Sequence, residues 1–193
     1  MTETLTSPTQ AIATCVDEVR SSLPGLDDAA VLDLIREVES ASRMVHSVLL
    51  DVLCAVDSRR LAAQAGFRST TSLVGELARL SQTEARLRVQ QTSRLGARRG
   101  VTGEQLVPEL AETAAALAAG TIGPAQVRVI TEIRDAVPVS ITGAQQVQGE
   151  ADLARYAHRF SPTELATLGQ HLLAHLDPDG PEPRKRQLGT GRW

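Results

Sequence analysis

The chain has 193 residues, a formal net charge of −3, 42% hydrophobic, 22% charged and 2% aromatic residues. It is long enough for an ordinary domain with an aliphatic core, and too apolar to be disordered. A charge this near neutral excludes a protein that coats polyanions over its whole surface.

No apolar run reaches the roughly 18 residues of a membrane span. The opening MTETLTSPTQ has no basic, then apolar, leader pattern. Cys15 and Cys54 are too isolated for a disulfide framework or a zinc site. The expected compartment is a reducing cytoplasm, with no membrane association.

In chain order, residues 1–25 predict a short helix or flexible segment, closed by Pro24-Gly25. Asp27 is a suitable N-cap, with Leu26 and Val31 spaced as a hydrophobic staple. Val31, Ile35, Val38, Val45, Leu49, Val52 and Val56 then recur in steps near three and four, broken only by Ser42. Leu34, Ala41, Val48 and Ala55 widen the stripe. This predicts one amphipathic helix of about ten turns ending near Gly66. Its spacing is close to a heptad, so its partner is either the rest of the chain or a second copy.

Leu73, Val74, Leu77, Ala78 and Leu80 predict a shorter helix. Ser81-Gln82-Thr83-Glu84 is a capping box opening a helix to about Arg99. EQLVPELAETAAALAA predicts an Ala-rich helix, with Pro108 early in it or kinking it, and Gly120 at its end. Gly123-Pro124 starts a helix ending before Pro138, and another lies near residues 143–159. Ser161-Pro162-Thr163-Glu164 combines a capping box with Pro at the first helical position. No strand-length alternation and no Asn-Gly or Asp-Gly hairpin occurs. The expectation is an all-α chain of six to eight helices and no sheet. One helical domain would occupy 26–178, with a loose tail over 179–193.

Charge is blocked along the chain: −7 over residues 1–58, +7 over 59–99, −5 over 100–153 and +2 over 154–193. All nine cations of the basic block are Arg, and Lys185 is the sole lysine. Residues 72–99 have the order helix, tight turn, helix. On a wheel, Ala85, Val89, Thr92, Leu95 and Gly96 take one side of the second helix. Arg86, Gln90, Gln91, Ser93, Arg94 and Arg98 take the other. Arg and Gln are the side chains that bond guanine and adenine edges and grip phosphates. The candidate DNA-binding residues are therefore Arg79, Arg86, Gln90, Arg94 and Arg98. The competing explanation is a solvated Arg-rich face of a bundle helix, docked on the acidic first sixty residues of the same chain. A helix-turn-helix usually has a small residue at its turn, whereas this chain has Arg79-Leu80.

His171 and His175 share a helix face, but HExxH order and a third ligand are missing. His46, beside the apolar stripe, suits a packed or half-exposed position. Nucleophile motifs, Gly-rich phosphate loops and paired catalytic carboxylates are absent, and four aromatics make a poor base-stacking platform. No cofactor, metal or small-molecule substrate is expected.

LARLSQTEARLRVQQTSRL resembles a signature of the actinobacterial 13E12 repeat family, whose domain is called domain of unknown function 222. LVPELAETAAALAAGTIGPAQVRVITEI and FSPTELATLGQHLLAHLDPDGPEP resemble its next two segments, in the right order. The resemblance covers about residues 66–183 and implies a helical module attached to DNA chemistry, since many members carry a C-terminal HNH endonuclease domain. Nothing after Gly180 contains His, Asn or Cys. The HNH residues are thus missing, and the expectation is a truncated, non-enzymatic member. The functional expectation is a helical module associated with double-stranded DNA. The alternatives are an oligomerisation or interaction scaffold using Val31–Val56, and a degenerate fragment.

Overall fold

The computed structural model describes residues 7–99, 104–138 and 141–176. The expected tail over 179–193 lies outside the described residues. The chain divides into two compact units, residues 1–39 and 40–193.

In the smaller unit, α1 (Pro8–Ser22) starts with Pro in its first turn and buries no residue. A 3-10 turn (Leu23–Gly25) follows. Asp27 caps α2 (Asp28–Ser58) as its spacing predicts: its Oδ1 accepts from the Ala30 N–H at 2.8 Å.

The larger unit begins inside α2. This helix ends at Ser58 rather than near Gly66. Arg60 takes a left-handed φ of 54°, which breaks the helix, and α3 (Leu61–Gln64) restarts as a single turn. Then come α4 (Thr70–Ala78), α5 (Gln82–Leu95), α6 (Ala111–Ala118), α7 (Pro124–Asp135), α8 (Gly143–Ala157) and α9 (Pro162–Leu176). The described residues thus form nine α-helices, one more than the expected maximum, because α3 has no periodic stretch of its own. The class is all-α. The extended structure among the described residues is a two-residue antiparallel ladder, β1 (Arg98–Arg99) with β2 (Gln105–Leu106).

Two helix limits differ from the sequence pattern for visible reasons. α5 stops at Leu95, not near Arg99, where Gly96 turns extended at a point that has no room for a Cβ, which would fall 2.6 Å from the Thr92 carbonyl oxygen and 3.0 Å from Cys54 Sγ of α2. Pro108 lies outside α6, neither early in it nor kinking it, because residues 104–108 run extended or irregular before Leu110.

The centre of this unit is α7, which packs against α5, α6, α8 and α9. Val127, Ile130 and Ile133 lie at helical spacing and are buried with Leu110, Leu117, Ile122, Leu153 and Leu165. α9 packs on α7 at Gly169, where a Cβ would fall 2.1 Å from Ile133 Cδ1, so the missing side chain leaves the space that Ile133 fills. Gly120 ends α6 at φ 71°, and a Cβ there would meet Ser40 Oγ at 2.4 Å. Arg43 NH1 donates to the Gly120 and Thr121 carbonyls just beyond α6, where a cation complements the helix dipole.

α6 itself begins at Leu110 without a local side-chain cap. The buried Glu150 of α8 supplies one from a distance. Its carboxylate accepts from the Thr113 N–H at 2.6 Å, from the Thr113 hydroxyl, and from the Glu112 N–H at 3.4 Å.

Candidate nucleic-acid interface

The basic block folds into three tight connections separated by short helices. Arg59 and Arg60 close α2. Arg68 precedes Ser69, whose hydroxyl accepts from the Ser72 N–H and caps α4. Arg79 closes α4 in the left-handed region, φ 52°, with its N–H turned back to the Gly75 and Glu76 carbonyls. A non-glycine residue there is disfavoured by roughly 1–2 kcal/mol. The turn position that usually carries a small residue is thus held by an arginine. Ser81 then caps α5 by accepting from the Glu84 N–H at 3.2 Å. The expected reciprocal bond from Glu84 is replaced by an ion pair with Arg88 at 2.9 Å.

The predicted Arg and Gln face of α5 divides when its neighbours are in place. Arg79, Arg86 and Gln90 are exposed. Gln91, placed on the same face by the wheel, is only 4% exposed. Its Oε1 pairs with His46 Nε2 of α2 at 2.9 Å, and its Nε2 donates to the Pro124 carbonyl of α7 at 3.1 Å. This polar bracket ties three helices together, and His46 is packed as its position suggests. Arg94 is drawn inward by Glu109 and by Asp135 at 2.7 Å. The acids that hold Arg94 come from the −5 block of residues 100–153, not from the first sixty residues. Arg98 falls beyond α5, in β1, so it does not continue the helical face; its side chain lies outside the described residues.

Three arginines that the helical wheel did not single out complete the exposed set. Arg59, Arg60 and Arg68 are exposed, and with Arg79 and Arg86 they make no ion pair among the described residues. The acids of this stretch are Glu76 and Glu84, and Glu84 is occupied by Arg88. The sequence signal was the +7 block itself; restricting attention to one helix missed its N-terminal half. Such a set can bind phosphates through charge and N–H donors.

No group of three His, Cys, Asp or Glu side chains that could hold a metal occurs among the described residues. His171 is exposed on α9, and the His175 side chain lies outside the described residues. No helix among the described residues is long and apolar enough to cross a membrane.

Residues 32–192 match the family described as a domain of unknown function, DUF222. Two uncharacterized proteins of Mycobacterium tuberculosis, from strains CDC 1551 / Oshkosh and H37Rv, are each 30% identical over 191 residues. Those alignments cover 97% of this chain and 45% and 42% of the relatives, so the chain spans less than half the length of either. A further uncharacterized protein from the CDC 1551 strain is 38% identical over 107 residues, 55% of this chain and 24% of the relative. No solved structure matches.

Proposed function

The chain belongs to the DUF222 family, and from that premise we propose that it is a non-catalytic helical module that grips duplex DNA by its phosphates, in the cytoplasm. The observation that supports this is the set of Arg59, Arg60, Arg68, Arg79 and Arg86 in the basic block, exposed and without carboxylate partners among the described residues. Base readout is not part of the proposal, because Gln91 and Arg94 are engaged inside the protein. Phosphate contacts position a protein on DNA without specifying sequence. In a longer DNA-acting assembly of the HNH type, the module would supply this grip and none of the metal chemistry.

The test is a salt titration of duplex affinity. Each neutralised phosphate should contribute roughly −0.9 to the log–log slope. Arg79→Ala with Arg86→Ala should flatten the slope by about two units, and adding Arg59→Ala, Arg60→Ala and Arg68→Ala by about three more. Duplexes of unrelated sequence should bind alike, and Gln90→Ala should leave affinity unchanged. No cleavage should occur with magnesium, manganese or zinc. Absence of duplex affinity at about 50 mM salt, where phosphate contacts are strongest, would overturn the proposal.

A further inference from the structure

A cavity of about 400 Å³ opens in the larger unit between the last turns of α2, the start of α4 and the C-terminal half of α5. Its size falls within the roughly 300–1,000 Å³ of small-molecule sites. The sequence explains why the space is left unfilled. Cys54 and Ser58 are four apart on one face of α2, and Val89, Thr92, Ser93 and Gly96 follow the i, i+3, i+4, i+7 pattern of one face of α5. Except for Val89 these residues are small, so a gap remains where the two faces meet. The buried Leu53 and Thr92 line its inner part, and the exposed Asp57, Ser58 and Ser93 its mouth.

The side-chain donors of this lining are already spent inside the protein. The Ser58, Thr92 and Ser93 hydroxyls donate to the Ala55, Arg88 and Gln90 carbonyls at 3.2, 2.9 and 2.8 Å. The Cys54 thiol donates to the Ala97 carbonyl at 3.2 Å. The Thr70 hydroxyl donates to Asp57 Oδ1 at 2.9 Å. What the side chains still offer is acceptors: hydroxyl lone pairs and Asp57 Oδ2, which has no partner among the described residues. Asp57 is also the one charged residue of the lining. It makes no ion pair among the described residues, although Arg59 and Arg60 follow it in the chain.

We propose that this cavity binds a small primary amine in its ammonium form, with an apolar alkyl or aryl body. An ammonium carries three donors and no acceptor, which is the complement of the lining. Asp57 takes the charge through a charge-assisted hydrogen bond, and the neighbouring hydroxyl oxygens accept from the other N–H groups. Leu53, Val89 and Cys54 cover the body. An anionic ligand meets the Asp57 carboxylate and finds no side-chain donor to hold it. Asp57 is separate from the arginines proposed to hold DNA, so this site does not rest on that reading.

The probe is phenethylamine, titrated into the full chain near neutral pH and followed by amide chemical shifts. Saturable shifts at Asp57, Thr70 and Ser93 are expected, with a dissociation constant of about 1 mM or below. Phenethyl alcohol, the same body without the charge, should bind at least roughly tenfold more weakly, and hydrocinnamate, with a carboxylate instead, should not bind. Asp57→Asn keeps the acceptor for Thr70 and removes the charge, and should weaken phenethylamine binding at least roughly tenfold. Ser93→Leu, at an exposed position, fills the cavity and should do the same with unchanged helicity. In a Cys15→Ser background, saturating phenethylamine should slow alkylation of Cys54 by iodoacetamide. Absence of saturable shifts up to about 20 mM, well above the expected range, would overturn the proposal. So would equal binding of phenethyl alcohol or hydrocinnamate, an affinity that either variant leaves intact, or alkylation of Cys54 that the amine does not slow.

Discussion

Val48 and Ile130 are both branched aliphatic residues in helix interiors, and their surroundings are opposite. Ile130 is fully buried on α7, a helix that packs against four others, whereas Val48 on α2 is 61% exposed. α7 lies centrally, and its apolar row meets α8 and α9. α2 is held by Leu50 and Leu53 on one side and by two polar anchors, His46 and Arg43. The difference teaches that an apolar stripe specifies a surface to be covered, not what covers it. In α7 the chain's own helices do so. In α2 the apolar side chains of Val45, Val48 and Val52 stay largely exposed, while Leu50 and Leu53 face the core.

Core truncation should separate the two helices most strongly. Ile130→Ala should destabilise the fold by about 2–4 kcal/mol in urea unfolding, as loss of a well-packed side chain does. Val48→Ala should change stability by less than about 0.5 kcal/mol. Equal effects at the two positions would erase the distinction.

Next in size is the remote cap of α6. Glu150→Ala removes the acceptor of the Thr113 and Glu112 N–H groups in a buried setting, which should cost about 2 kcal/mol. Faster amide exchange should be confined to the first turn of α6. The close packing of α9 on α7 is tested by Gly169→Ala. Its new methyl must displace Ile133, at a cost of about 1–3 kcal/mol. No such overpacking should follow substitution at the exposed Val45, Val48 or Val52 of α2.

The smallest effect concerns the start of α9. The Ser161 hydroxyl, and then its backbone N–H, hold the exposed Glu164 carboxylate below its ordinary pKa. A carboxyl depressed in the folded state contributes above its unfolded pKa, and that contribution fades as pH falls through the lower folded value. Glu164→Gln should therefore lower protection of the first turn of α9 near neutral pH. Its difference from wild type should shrink on acidification, read from amide chemical shifts.

Much of the helical layout was legible beforehand because its signals are local. Asp27, Ser81, Gly123-Pro124 and Ser161 mark helix starts through bonds within three or four residues, and each start is where these residues place it. The left-handed end of α6 at Gly120 follows from glycine's missing Cβ. The candidate site was legible in part. The +7 block located the arginines, but a wheel drawn on α5 could not show which of them would meet acids. Arg94 is paired because Glu109 and Asp135 arrive from 15 and 41 residues away. Gln91 is buried because α2 and α7 both reach it.

By itself, then, the sequence determined the all-α class, most of the helix starts and the blocks of charge, since these depend on periodicity, caps and composition within a few turns. Only the tertiary structure decided that α2 breaks at Arg60, that α5 stops at Leu95 beside Cys54, that Glu150 caps a helix 37 residues back, and which side of α2 faces the core. Those outcomes rest on contacts between residues distant in the chain. Side-chain type limits such contacts, but the position of the opposing helix selects among them.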